Sequence, residues 1–209
     1  KAKSEGLLRK WNIKINNHLP YLESEEEATI RTPKEIAQRV CVLASINPVA
    51  FNHLQGKEAT HYLKKYNLWD YVTPGEKDFL AYPTEERKRH ETWKCEGIWT
   101  LMWALKKVED LGSPNEPCNL DTISPDIYPA GPGKDPNDFI NSIDDTRTKQ
   151  EILDACDLYY RLDWACVDAR INNRPMKGAH PGAVYERHYA LNWLTNYSEQ
   201  EWDDITCDT

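Results

Sequence analysis

A chain of 209 residues, 40% of them hydrophobic, is long enough to bury a sizeable core as one large domain or two small ones. Its net charge of -8, from 34 acidic against 26 basic side chains, argues against general nucleic-acid binding, which needs a basic face for phosphates. Eight Trp and eleven Tyr against three Phe favour an interior of aromatics that carry a polar atom in need of a hydrogen-bond partner.

In chain order, Lys3 to Trp11 offers a short amphipathic helix, and Ile13 to Asn16 alternates like a brief strand. Glu23 to Glu27 is an acidic patch of solvated loop. Thr32-Pro33-Lys34-Glu35 combines an N-cap, a proline at the first helical position and a glutamate three residues after the cap, and so starts a helix that Pro48 is expected to stop. A second helix is predicted between Lys57 and Tyr66. Thr73 repeats the same cap and opens a short helix through Leu80, after which Thr84 caps a longer one. Its first turns carry Arg87, Lys88, Arg89, His90 and Lys94 interleaved with Glu85, Glu86 and Glu91, with Glu85–Arg89 and Arg87–Glu91 expected as i,i+4 pairs on a solvated helix face.

From Trp93 to Leu111 the chain reads WKCEGIWTLMWALKKVEDL, apolar on every side around Ile98 to Leu105, and such a helix lies inside a domain. It is too short and too interrupted by charge to cross a membrane. Glu96 sits within it, and a carboxylate in that company needs a paired cation or must be neutral. From Ser113 to Pro136 six prolines and two glycines replace helical periodicity, which predicts a long surface loop pinned by Ile123, Ile127 and Tyr128. Thr148-Lys149-Gln150-Glu151 is another capping box and opens the longest helix, with two apolar seams and a polar stripe of Asp154, Asp157, Arg161 and Asp168 between them. Arg161 and Arg170 are the expected counter-charges for Glu96. A third strong helix is predicted from Val184 to Tyr197, and Ser198 caps a last turn. The class is mainly α: a single-domain, bundle-like fold around the Trp-rich central helix, with 113–136 as its surface loop.

Six cysteines form no CxxC pair, and Cys156 and Cys166 are separated by about 15 Å of helical rise, too far for a disulfide. They read as buried thiols of a reducing compartment, hence a cytoplasmic expectation, although a chain beginning at Lys1 leaves room for an export signal already removed.

Several blocks together resemble the bacterial domain-of-unknown-function 4272 family. They are Arg9-Lys10-Trp11 leading to His18-Leu19-Pro20, TPKEIAQR from Thr32, the ExxWxLxWAL stretch from Glu96 to Leu105, EILDACDLYYRLDWACVDAR from Glu151 to Arg170, ERHYALNWL from Glu186 to Leu194 and the closing WDDITCDT. The resemblance runs nearly end to end and implies a soluble, mainly helical single domain. It implies no activity and carries over no catalytic residue.

Candidate sites are therefore argued from the residues. The first gathers Glu96, Arg161, Asp168, Arg170, Glu186, Arg187 and His188. An arginine fork can bind a carboxylate or phosphate and a buried glutamate can act as general acid, but the same charges can simply fix helix register. The second is acidic: Asp203, Asp204 and Asp208, with Glu186 and His188. It is the nearest approach to a cation site, although its spacing matches neither an EF-hand nor HExxH. Cys95, Cys156 or Cys166 beside His90 or His188 would make a thiol nucleophile, but no activating motif accompanies them. Trp93, Trp99, Trp103, Trp164 and Trp193 read as core before aromatic pocket. No cofactor is called for. The leading expectation is a non-enzymatic binding domain whose acidity suits a basic protein partner; the competing one is a hydrolase or transferase working on an anionic substrate at the Glu96 and Arg161 cluster.

Overall fold

The expected capping boxes at Thr32, Thr73 and Thr148 all form. Each threonine side chain accepts from the amide of the glutamate three residues on, and that glutamate accepts from the threonine amide. They start α2 (Pro33–Ala50), α4 (Pro74–Ala81) and α8 (Lys149–Ile171). Around them lie α1 (Ala2–Lys10), α3 (Gly56–Lys65), α5 (Glu85–Glu91), α6 (Lys94–Ala104), α7 (Pro136–Asn141) and α9 (Pro181–Leu194), with short 3-10 turns between. The computed structural model describes all residues from Lys1 to Thr209 and contains helices and turns without any strand. No helix is long and apolar enough to cross a membrane.

The chain divides into two compact units woven from alternating segments. One comprises Lys1–Arg31, Asp110–Cys118 and Arg147–Thr209; the other comprises Thr32–Glu109 and Asn119–Thr146. In the second, α6 is the Trp-bearing buried helix, with Glu96, Ile98, Thr100, Leu101 and Met102 fully enclosed, and it packs on the equally buried α2. Helices α3, α4, α5 and α7 complete the packing around α2. Gly56 permits a close approach of α3 to α4, because a Cβ there would lie 2.0 Å from the main-chain oxygen of Leu80. A buried pair also ties α2 to α4: Arg39 donates to both carboxylate oxygens of Glu76, at 2.7 and 2.8 Å, while Glu76 caps α4. In the first unit, α8 packs between α1 and α9.

Four expectations need correction. Ile13 to Asn16 pairs with no neighbour and forms no strand. Pro48 does not stop α2, which continues to Ala50: its missing amide falls in the last turn, and the helix ends only where Asn52 takes a left-handed conformation (φ 60°). The helix entering the hub is not continuous, since α5 ends at Glu91 and α6 begins at Lys94 after a tightened turn in which Glu96 N bonds Trp93 O. It also ends at Ala104, well before Leu111, because Lys106 is left-handed (φ 60°) and turns the chain away. On α5 the expected Glu85–Arg89 and Arg87–Glu91 pairs give way to Lys88–Glu85 at 2.8 Å and to Arg87–Asp78 at 2.9 Å, which links α5 to α4.

Candidate functional site

The polar stripe of α8 is where the first unit concentrates its buried charge. Asp157 and Arg161 stand one helical turn apart, so their side chains share a face. Arg161, 1% exposed, donates Nε and Nη2 to Asp157 at 2.7–3.1 Å and a further bond from Nη2 to the carbonyl of Pro20 at 2.9 Å. Ser4 of α1 donates to the same carboxylate at 2.5 Å. Burial alone would raise the Asp157 carboxyl, but the Arg161 and Ser4 hydrogen bonds outweigh it and hold the group below its ordinary value. The carboxylate facing Arg161 is thus Asp157 of its own helix; Glu96, the expected partner, is enclosed on α6 in the other unit.

The remaining expected residues are distributed by the same logic. Asp168, on the rim of α8, is shared by Lys14 at 2.8 Å and Arg174 at 2.5 Å, and the Lys14 ammonium chiefly holds its carboxyl below the usual range. Arg170 is exposed. Arg187 of α9 is 1% exposed, accepts no role at the surface, and donates to the Tyr159 hydroxyl (2.9 Å) and to the carbonyls of Ser113 (3.3 Å) and Glu116 (3.0 Å), pinning the start of the Pro-rich segment. Glu186 is half-buried on the same helix. Asp203 and Asp204, in the turn Trp202–Asp204, and Asp208 are all exposed, and the acidic grouping built on them does not assemble as a ligand set.

What does converge is a set of donors that the sequence names only in part. His188 of α9 meets Asp163 of α8, Nδ1 to Oδ2 at 3.0 Å, with the two side chains 2% and 5% exposed. The bond ties α9 to α8 and fixes the orientation of the imidazole ring. Cys207, from the chain's last residues, brings its sulfur to the same place: one donor atom each of Asp163, His188 and Cys207 lies within 4.8 Å of the others. Beside them opens a cavity of about 370 Å³, walled by Tyr160, His188, Asn192, Tyr197, Glu23 and Asp208 among others. Cys156 also faces it, its thiol donating to Asn192 Oδ1 at 3.5 Å; burial pushes that thiol up to about 12, and burial likewise raises Cys207. Both are therefore protonated near neutrality, contrary to what a nucleophile needs. Cys166 is pushed up to about 12 in the same way.

The tryptophans lie in the packing. Trp103 and Trp193 are buried, Trp93, Trp99 and Trp164 are half-buried, and Trp202 joins Trp193 edge-on at 5.5 Å and Tyr189 at 5.3 Å. The larger concavity of the second unit, about 770 Å³ beside Gly56, brings together only His53, Lys57, Glu58 and Lys88 among ionisable groups.

The family model of the domain of unknown function DUF4272 matches residues 1–205. The chain belongs to this family. Membership over that span agrees with the resemblance read from the helix motifs, and it includes Asp163 and His188 while stopping just short of Cys207. No curated protein and no solved structure matches the chain.

Sequence reasoning missed Asp163, Cys207 and the Arg39–Glu76 pair. Asp163 sits inside an apolar seam with no periodic signal, and Cys207 lies in a tail without helical period. Glu76 was already accounted for as a cap, and nothing local marks Arg39 as its partner.

Proposed function

We propose that the chain is a non-enzymatic binding domain for a basic protein partner, and that the cavity beside His188 receives one of the partner's cationic side chains. The composition of that cavity carries the reading: Tyr21, Tyr160, Tyr197, Glu23 and Asp208 line it, and no lysine or arginine does. A guanidinium entering it gains both the negative faces of the rings and contact with the two carboxylates. The same rings already attract cations within the chain, with Lys1 Nζ 5.0 Å from the Tyr21 centroid and the Arg161 guanidinium carbon 5.9 Å from that of Tyr160.

The enzyme reading is supported less. It needs an arginine free to hold an anionic substrate, whereas Arg161 and Arg187 are enclosed and hydrogen-bonded to groups of their own unit. Calorimetric titration with an arginine-containing peptide and its citrulline counterpart tests the proposal. The arginine peptide should bind and the citrulline one should not, and Glu23→Gln and Asp208→Asn should each weaken binding roughly two- to fivefold, the range of an exposed ion pair. Equal binding of the two peptides, or of neither, rejects it.

A further inference from the structure

Helices α8 and α9 and the C-terminal segment contribute one donor each to a single point. Asp163 supplies a carboxylate oxygen, His188 a ring nitrogen and Cys207 a sulfur, all mutually within 4.8 Å, and the first two are buried. We propose that these three side chains form a binding site for a borderline transition-metal ion, zinc above all, with the fourth coordination position facing the cavity that His188 lines.

The donor set selects the metal class. A thiolate excludes magnesium and calcium, which take oxygen ligands, while nitrogen, oxygen and sulfur together suit zinc or cobalt(II). Bonds of about 2.0 Å to nitrogen and oxygen and about 2.3 Å to sulfur replace the Asp163–His188 hydrogen bond, whose proton leaves to solvent: that pair, now 3.0 Å apart, opens slightly, and the sulfur, within 4.8 Å of both, moves in.

The surroundings are built as a support. Asn192 stands one turn beyond His188 on α9, on the same face, and donates Nδ2 to the main-chain oxygen of Thr206 at 2.9 Å. Gln200 accepts from the Thr206 amide at 3.0 Å. The residue before Cys207 is thus fixed by the helix that carries His188, which is how outer-shell contacts orient a ligand. Three carboxyl groups, those of Asp163, Glu186 and Asp208, act on the Cys207 sulfur, and their negative charge favours a cation there. The ion displaces the Cys207 thiol proton to solvent; with that thiolate and the Asp163 carboxylate as ligands a divalent ion leaves the centre neutral, and the cavity keeps the sign given it by Glu23 and Asp208. The ion would also clip the acidic end of the chain onto α8 and α9.

The test is metal loading of the whole chain without any peptide present. Protein stripped with chelator should take up one cobalt(II) per chain and show the ultraviolet thiolate-to-cobalt charge-transfer band. Zinc should displace it. Cys207→Ser should abolish the band, and Asn192→Ala should retain it with affinity lowered about 10- to 100-fold. A measurement on the unaltered protein guards against misfolding: zinc should protect Cys207 from alkylation, as read by mass spectrometry of its peptide. Absence of stoichiometric uptake, a band that survives in Cys207→Ser, or protection that falls elsewhere overturns the site. The peptide titration, run in chelator, succeeds or fails independently of this result.

Discussion

Arg161 places a full positive charge in the middle of α8, and Asp157 is what makes that tolerable. Removing one member of a buried pair strands the other, which typically costs about 3–5 kcal/mol, whereas replacing both by apolar groups is often neutral. Arg161→Met is therefore expected to lower stability by about 3–5 kcal/mol in urea unfolding, and Arg161→Met with Asp157→Leu to recover most of the loss. The buried Nη1 of Arg161, which has no hydrogen-bond partner, makes recovery more favourable still. The pair also sets an acid limb. Because the folded Asp157 carboxyl lies below its unfolded value of about 3.9, its contribution is complete above that value and is lost as pH falls through the lower folded one. Stability measured from pH 5 downward should fall less steeply in Asp157→Asn than in the unaltered chain. The polar stripe bearing both residues was legible from spacing alone, because i,i+4 neighbours are fixed by helix geometry. The assignment of Arg161 to Glu96 was not, since nothing in a sequence ranks a distant carboxylate against one a single turn away.

Elements that begin with a local hydrogen-bond signature were read correctly, and elements that end without one were not. At Thr32, Thr73 and Thr148 both partners of the capping box lie within four residues, so the start of each helix is encoded where it occurs. The ends at Phe51 and Leu105 depend instead on Asn52 and Lys106 adopting positive φ, and a lysine gives no warning of that. Glycines divide along the same line. Gly6, in α1, has nothing within 4 Å of a Cβ added to it, so Gly6→Ala should raise stability by about 0.5–1 kcal/mol through helix propensity. Gly56 is also helical, yet its added Cβ would overlap the Leu80 carbonyl, which is main chain and cannot rotate aside. Gly56→Ala should force α3 from α4 and cost about 1–3 kcal/mol or more. Opposite shifts in melting temperature for the two variants would confirm that inter-helix approach, and not helix propensity, governs position 56; a gain in both would refute it.

At the scale of the whole molecule the net charge of -8 acts at distances where individual contacts do not. For the basic partner proposed above, the summed field would raise the association rate, and it is screened over about 8 Å at physiological ionic strength. On the same proposal the cavity carboxylates would act after contact, by touching the bound cation. The two contributions should therefore separate kinetically. Raising salt from low to physiological concentration should slow association of an arginine-rich peptide while changing its dissociation little. Asp208→Asn should mainly accelerate dissociation, and so should loss of a ring through Tyr160→Leu, which keeps the charge unchanged. Neutralising Glu109 and Asp110, which do not line the cavity, removes two charges from the field and should slow association alone. Stopped-flow traces in which Asp208→Asn altered only association would mean that the carboxylate attracts the partner without contacting it, and the cavity would then not be where the cation sits.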